Sequence, residues 1–211
     1  MKPFTFRHGA GPWPPGVTIL HVYAVPDLAV DTALSALVRQ GQAAVRDLPV
    51  TPVPAEWLHV TIDQVTGATG DTVPQRERDE LAGALTDELA RADPLTVVAG
   101  SMLSYASGVI CDLSPDDGIA DLHRRVRSVL RTVRGPEACQ YEWGVQHLTI
   151  GYAYGEADSD QAQRLLRRVR PSHAPLQIDA VHLVDVRADH DARQITWEHL
   201  ARIPLGRGTA A

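Results

Sequence analysis

At 211 residues, 44% hydrophobic and 22% charged, the chain has the composition of an ordinary globular protein and the length for one sizeable core. Its formal net charge of −6 argues against a grip on long nucleic acids, where a basic surface supplies most of the affinity. No apolar run is long enough to cross a membrane, and Met1 to Pro15 lacks the unbroken apolar core of a secretory signal. The two cysteines, Cys111 and Cys139, stand in no metal-ligand spacing, and Cys111 reads as a buried thiol. The expectation is a cytoplasmic protein, a monomer, with no membrane partner.

In chain order, residues 1–16 carry Gly9, Gly11, Pro12, Pro14, Pro15 and Gly16 around Trp13, which predicts an irregular arm laid over the surface. Thr18 to Val25 reads as a strand closed by Pro26-Asp27. A helix is expected over about 28–47, weakened in the middle by Gly41. Pro49, Pro52 and Pro54 force an extended connector into a second strand, Leu58-His59-Val60-Thr61-Ile62. The next helix runs from Thr72–Pro74 to about Arg91, with Leu81, Leu85 and Leu89 on one face. Leu95–Met102 and Gly108–Leu113 predict a hairpin turning near Ser104-Tyr105. A helix then extends from Ser114-Pro115-Asp116-Asp117 to about Val133, ended by Gly135-Pro136. The strand Gln146-His147-Leu148-Thr149-Ile150 follows, then a helix over 158–170, and strands over about 176–186 and 193–203. Residues 207–211 form a tail.

Laid out this way, a unit of helix, His-Thr strand, helix and two strands occurs twice, over about 28–113 and 117–203. On a strand, residues two apart share a face, so His59 projects with Thr61 and His147 with Thr149. A lone His-x-Thr is weak in a chain with nine histidines. Here two such triplets occur on predicted strands, both are followed by Ile, and both fill the same slot of a repeat. Two such strands facing one cleft supply two imidazoles and two hydroxyls, a set suited to general acid–base chemistry on a phosphate. No nucleophile elbow, phosphate-binding glycine loop or zinc-protease helix is present. No carboxylate lies within either triplet, although the first continues Ile62-Asp63-Gln64, and metal-free, cofactor-free chemistry is expected. Arg124, Arg125, Arg127, Arg131 and Arg134 crowd one helix and Arg164, Arg167, Arg168 and Arg170 another; they read first as solvated helix faces and second as a local basic patch.

His59-Val60-Thr61 and His147-Leu148-Thr149, with their spacing, resemble the 2H phosphoesterase superfamily, which includes the LigT-like bacterial RNA 2′,3′-cyclic phosphodiesterases, also called 2′-5′ RNA ligases. Ile203-Pro204-Leu205-Gly206 also looks like that family's last strand, and the resemblance spans about residues 17–206. It implies an α+β fold of two pseudo-symmetric lobes around a cleft, each with an antiparallel sheet and flanking helices. It implies metal-independent hydrolysis of a 2′,3′-cyclic phosphate, or chemistry at a 2′-5′ linkage, on a nucleotide or RNA end. His59 and His147 would be catalytic, and Thr61 and Thr149 would bind phosphate. The family commonly carries an arginine three residues after the second threonine; here Tyr152 stands there, able to donate a hydrogen bond but bringing no charge. Tyr105, Trp143 and Tyr154 are candidates for stacking on a base. The rival readings are a non-catalytic nucleotide- or RNA-binding module of the same fold and a hydrolase of a small non-RNA phosphodiester.

Overall fold

The computed structural model describes residues 1–8, 11–140 and 144–206, and these form eleven strands, four α-helices and three short 3₁₀ helices. The tail over 207–211 and Trp143 lie outside the described residues. The order is β1 (Arg7–His8), β2 (Gly11–Pro12), β3 (Thr18–Ala24), α1 (Thr32–Ala44), β4 (Val50–Pro52), β5 (Val60–Gln64), α2 (Gln75–Leu89), β6 (Leu95–Tyr105), β7 (Gly108–Ser114), α3 (Asp117–Arg134), β8 (Leu148–Ala153), α4 (Ser159–Leu166), β9 (Ala174–Ile178), β10 (Ala180–Asp189) and β11 (Gln194–Pro204). Helix starts and stops follow local chemistry. Asp158 caps α4 by accepting from the amides of Asp160 and Gln161. Gly135, at φ 89°, takes the left-handed turn that ends α3. Asp27 ties down a turn through the amide of Ala29, so α1 starts later than its apolar spacing predicts.

The main sheet has nine strands, ordered β11-β10-β3-β5-β8-β7-β6-β9, with β4 pairing β8 beside that path. Every pairing is antiparallel. The two His-Thr strands are the central neighbours, joined by one residue pair, Val60 opposite Leu148. That pair divides the fold into lobes. One lobe holds β3, β5, β10 and β11 with α2 and α3 behind; the other holds β6, β7, β8 and β9 with α1 and α4.

The lobes are not the two consecutive sequence units. Strands β6 and β7, from the first unit, pair with β8 and β9 from the second, and β3 lies outside both units yet is central. The expected strand at 176–186 is two strands: β9 runs beside β6, and β10 crosses to the other lobe after Asp179. Pseudo-symmetry is therefore a property of the sheet and not of two successive chain halves.

One apolar cluster fills the space between the sheet and its helices, including Val60, Ile62, Leu148 and Ile150 from the central strands. A second, smaller cluster lies on the opposite sheet face and unites Ile19, Tyr23, Val184 and Val186 with Phe6 and Trp13. In the described part of the arm, Phe6 and Trp13 are buried, and the arm forms the small β1–β2 ribbon. Their apolar area removed from water anchors a segment whose Pro/Gly content alone reads as irregular.

Behind β5, Asp63 is fully buried and holds Arg127 through two hydrogen bonds of 2.9 Å. Most of the α3 arginines are used in the same way. Arg125 bridges Asp121 and Glu88, Arg131 donates to the carbonyl of Cys139, and Arg134 pairs with Glu77. Among the described residues no helix is long and apolar enough to cross a membrane. Removing one partner of a buried pair strands the other, at about 3–5 kcal/mol. Arg127→Leu is therefore expected to lower unfolding stability by about that amount in urea denaturation. Asp63→Leu/Arg127→Leu, which leaves no buried charge, recovers most of it.

Candidate active site

Because Val60 and Leu148 point into the core beneath the helices, His59, Thr61, His147 and Thr149 stand on the other face of the sheet, two on each side of the central pair. The structure brings these four together. His59 is buried, whereas Thr61, His147 and Thr149 are half-buried. Each imidazole is held in the same way. The Nδ1–H of His59 donates to the carbonyl of Trp57 at 2.9 Å, and that of His147 to the carbonyl of Val145 at 2.9 Å. A carbonyl can only accept, so both rings carry a proton on Nδ1, which leaves Nε2 as the nitrogen available to a reacting group.

Their surroundings differ. The ring of His59 stacks on Tyr23, with centroids 4.0 Å apart and planes 13° from parallel, and meets the edge of Trp197 at 5.1 Å. Burial, with the nearby charge of His147 adding to it, pushes His59 down to about 4, against the opposing pull of the Trp57 carbonyl. Tyr23 in turn shares a 2.8 Å hydrogen bond with His21 Nδ1, and burial pushes His21 down to about 3. Trp57 packs edge-on against Trp197 at 4.9 Å. Both tryptophans are half-buried and line a cavity of about 470 Å³ with Thr18, Arg78, Asp185 and Arg187. The sequence reading missed Tyr23, Trp57 and Trp197. Trp57 lies two residues before His59, and that proximity was the available signal.

A β-bulge follows each threonine. On β5, Thr61 pairs with Tyr23 and Asp63 with Val22, which leaves Ile62 as the extra residue; on β8, Thr149 pairs with Ile110 and Gly151 with Val109, which leaves Ile150. Each bulge reverses the alternation beyond it. Asp63, which simple alternation puts beside Thr61, turns instead to Arg127 behind the sheet. Gln64 and Tyr152 return to the histidine face, opposite His21 and Gly108 respectively.

Tyr152 is not open to the cleft, however. It is 6% exposed, lies under Phe4 of the arm with centroids 4.5 Å apart, and burial pushes its phenol up. The arm is pinned there by the amide of Phe4 donating to the carbonyl of Ala153 at 2.7 Å. A phosphate-binding Tyr152 therefore does not fit this arrangement, because the arm occupies the space in front of the ring. Tyr105 is exposed at the β6–β7 turn, and Tyr154 stacks under Arg193 at 4.6 Å. Arg164, Arg167, Arg168 and Arg170 are exposed along α4 and the turn after it. Cys111 is buried, and burial pushes its thiol up to about 12. No group of three or more His, Cys, Asp or Glu able to hold a metal occurs among the described residues.

The family model of the 2′-5′ RNA ligase superfamily matches residues 44–190, more than half of the chain, and spans both His-Thr strands. The chain belongs to that superfamily. As a 2′-5′ RNA ligase superfamily member it is a 2H phosphoesterase in fold, and solved structures bear this out. TT0787 of Thermus thermophilus superposes with a TM-score of 0.68 at 16% identity, over 90% of this chain and 99% of that one. E. coli LigT complexed with 3′-AMP gives 0.62 at 14% identity, over 90% and 98%. E. coli LigT complexed with ATP gives 0.58 at 15% identity, over 90% and 99%. No curated protein matches the sequence.

Four histidines are held below their unperturbed 6.5: His21 at about 3, His59 at about 4, His182, beside His199, at about 4, and His123, lowered by burial. In each the unfolded chain binds the proton more readily, so the stability they support is complete above pH 6.5 and is lost as the pH falls toward 4. Thermal unfolding is expected to soften steadily from pH 7 to 4.5. In His182→Gln the slope should flatten by about one proton, roughly 1.4 kcal/mol per pH unit. An unchanged slope would place that proton elsewhere.

Proposed function

We propose that this chain hydrolyses a 2′,3′-cyclic phosphate, or a related 2′-5′ linkage, on a nucleotide or RNA end, by general acid–base catalysis between His59 and His147 without metal or cofactor. The observation that carries the reading is the matched pair of imidazoles. Both are locked through Nδ1 on a backbone carbonyl two residues upstream, on adjacent strands, with a threonine beside each. Membership of a superfamily of phosphoesterases and ligases, and the nucleotide complexes of E. coli LigT, support it.

The roles follow from the environments. His59, buried and depressed to about 4, is neutral near pH 7 and acts as the base, taking a proton from water through Nε2 as the oxygen attacks phosphorus. His147, more open to solvent, carries the proton that Nε2 gives to the departing ribose oxygen. One proton is taken and one given, so the pair must exchange them before the next turnover. Thr61 and Thr149 donate to the non-bridging oxygens, whose charge is held through the transition state. Trp57 and Trp197, beside His59, offer flat faces to the base of the nucleotide.

The test is turnover of the four nucleoside 2′,3′-cyclic monophosphates in EDTA. Activity is expected to survive EDTA and to fall by about 10²–10⁴-fold in either His59→Ala or His147→Ala. Thr61→Val and Thr149→Val should each cost about 10²-fold in kcat. Because the base must be unprotonated, kcat/KM should fall on the acid side near pH 4 and not near 6.5. Trp197→Ala should raise KM about 10-fold, the size of one lost stacking contact. Turnover that required added metal would contradict the mechanism. No turnover with nucleotide binding retained would replace it with the binding-module reading.

A further inference from the structure

The extra residue of a β-bulge leaves backbone groups outside the ladder, and buried backbone groups need partners. Ile62 and Ile150 are both buried, and each has its carbonyl met by a side chain from the helix behind its own strand. His123 on α3 donates from Nδ1 to the carbonyl of Ile62 at 2.8 Å. Gln42 on α1 donates from Nε2 to the carbonyl of Ile150 at 3.0 Å, and also to that of Val53 at 2.8 Å. The amide of Val53 donates to the same Ile150 carbonyl at 3.0 Å. Gly41 makes the approach of α1 feasible: a Cβ there would stand 2.3 Å from Met102 Sδ and 2.7 Å from Ile150 Cδ1. Burial holds His123 below the usual imidazole range, which leaves a neutral ring donating through Nδ1. Two different residue types on two different helices thus do the same job at equivalent places in the two lobes.

We infer that His123 and Gln42 are positioning residues that lock the two bulges and thereby fix which side chains share the face of His59 and His147. The inference rests on the phosphodiesterase reading of that face. A strand that lost its bulge would shift its alternation by one residue beyond the threonine. On β5 this would carry Asp63 from Arg127 to the side of Thr61, setting a carboxylate against the phosphate. On β8 it would turn Tyr152 from its seat under Phe4.

Three variants test this. His123→Leu and Gln42→Met remove the donors, and His123→Asn places an amide nitrogen where the imidazole Nδ1 stands. His123→Leu and Gln42→Met are expected to lose about 10- to 100-fold in kcat with KM little changed, the size of a displacement of about 1 Å. His123→Asn should restore most of the loss. In wild type, cross-strand NOEs should pair His21 with Gln64; in His123→Leu they should shift toward a His21–Asp63 pairing. If His123→Leu does not fold, Gln42→Met and His123→Asn carry the test. Wild-type kcat in both donor-less variants would overturn the inference, as would equal losses in His123→Leu and His123→Asn. If wild type turned over no phosphodiester, the functional reading would fail separately and the NOEs would decide: the wild-type pairing retained in His123→Leu overturns the lock.

Discussion

A single residue pair, Val60 opposite Leu148, joins the two halves of the sheet, and the site depends on it. Both side chains are fully buried beneath the helices, which sets the face of every neighbour on β5 and β8 by alternation. Antiparallel pairing about that point places the His-Thr set of one strand against the inverted set of the other. The two imidazoles thus share one face without any symmetry in sequence beyond the triplets. The lobes can also diverge in what surrounds each ring. His59 is wrapped by Tyr23 and Trp197, and His147 is left half-open. Packing thus pushes the His59 imidazole down to about 4, the asymmetry on which the proposed acid–base division rests.

Charge is deployed behind the sheet more than in front of it. Arg125, Arg127, Arg131 and Arg134 tie α3 to β5, α2 and the loop at Cys139. The position where the family commonly places an arginine holds Tyr152 under the N-terminal arm. In the proposed mechanism the threonine hydroxyls and the two imidazoles meet the phosphate without an arginine at that position. Trp13 and Phe6 complete the second apolar cluster, so the arm belongs to the architecture of the cleft face.

Much of this was legible in the sequence. The helices and most strands follow from apolar spacing and from breakers such as Gly135-Pro136. The His-Thr strands follow from alternation and from the shared Ile after each threonine. Four things were not legible. The interleaving of the lobes depends on which strands pair at long range, and local patterning carries no such information. The fates of Asp63 and Tyr152 depend on bulges that reverse alternation, which a period-two reading misassigns. The burial of the arm depends on two aromatic anchors hidden among glycines and prolines. The clustering of Trp57 and Trp197 around His59 likewise appears only once the sheet curls.

The most direct test of the central claim, that His59 and His147 are an imidazole pair locked through Nδ1 and poised at Nε2, is long-range ¹H–¹⁵N correlation NMR of the histidine side chains across a pH titration. The account predicts the Nδ1–H tautomer for both neutral rings, with His59 staying neutral until the pH approaches about 4. A neutral ring protonated on Nε2 at either position, or a His59 that titrates near 6.5, would contradict it.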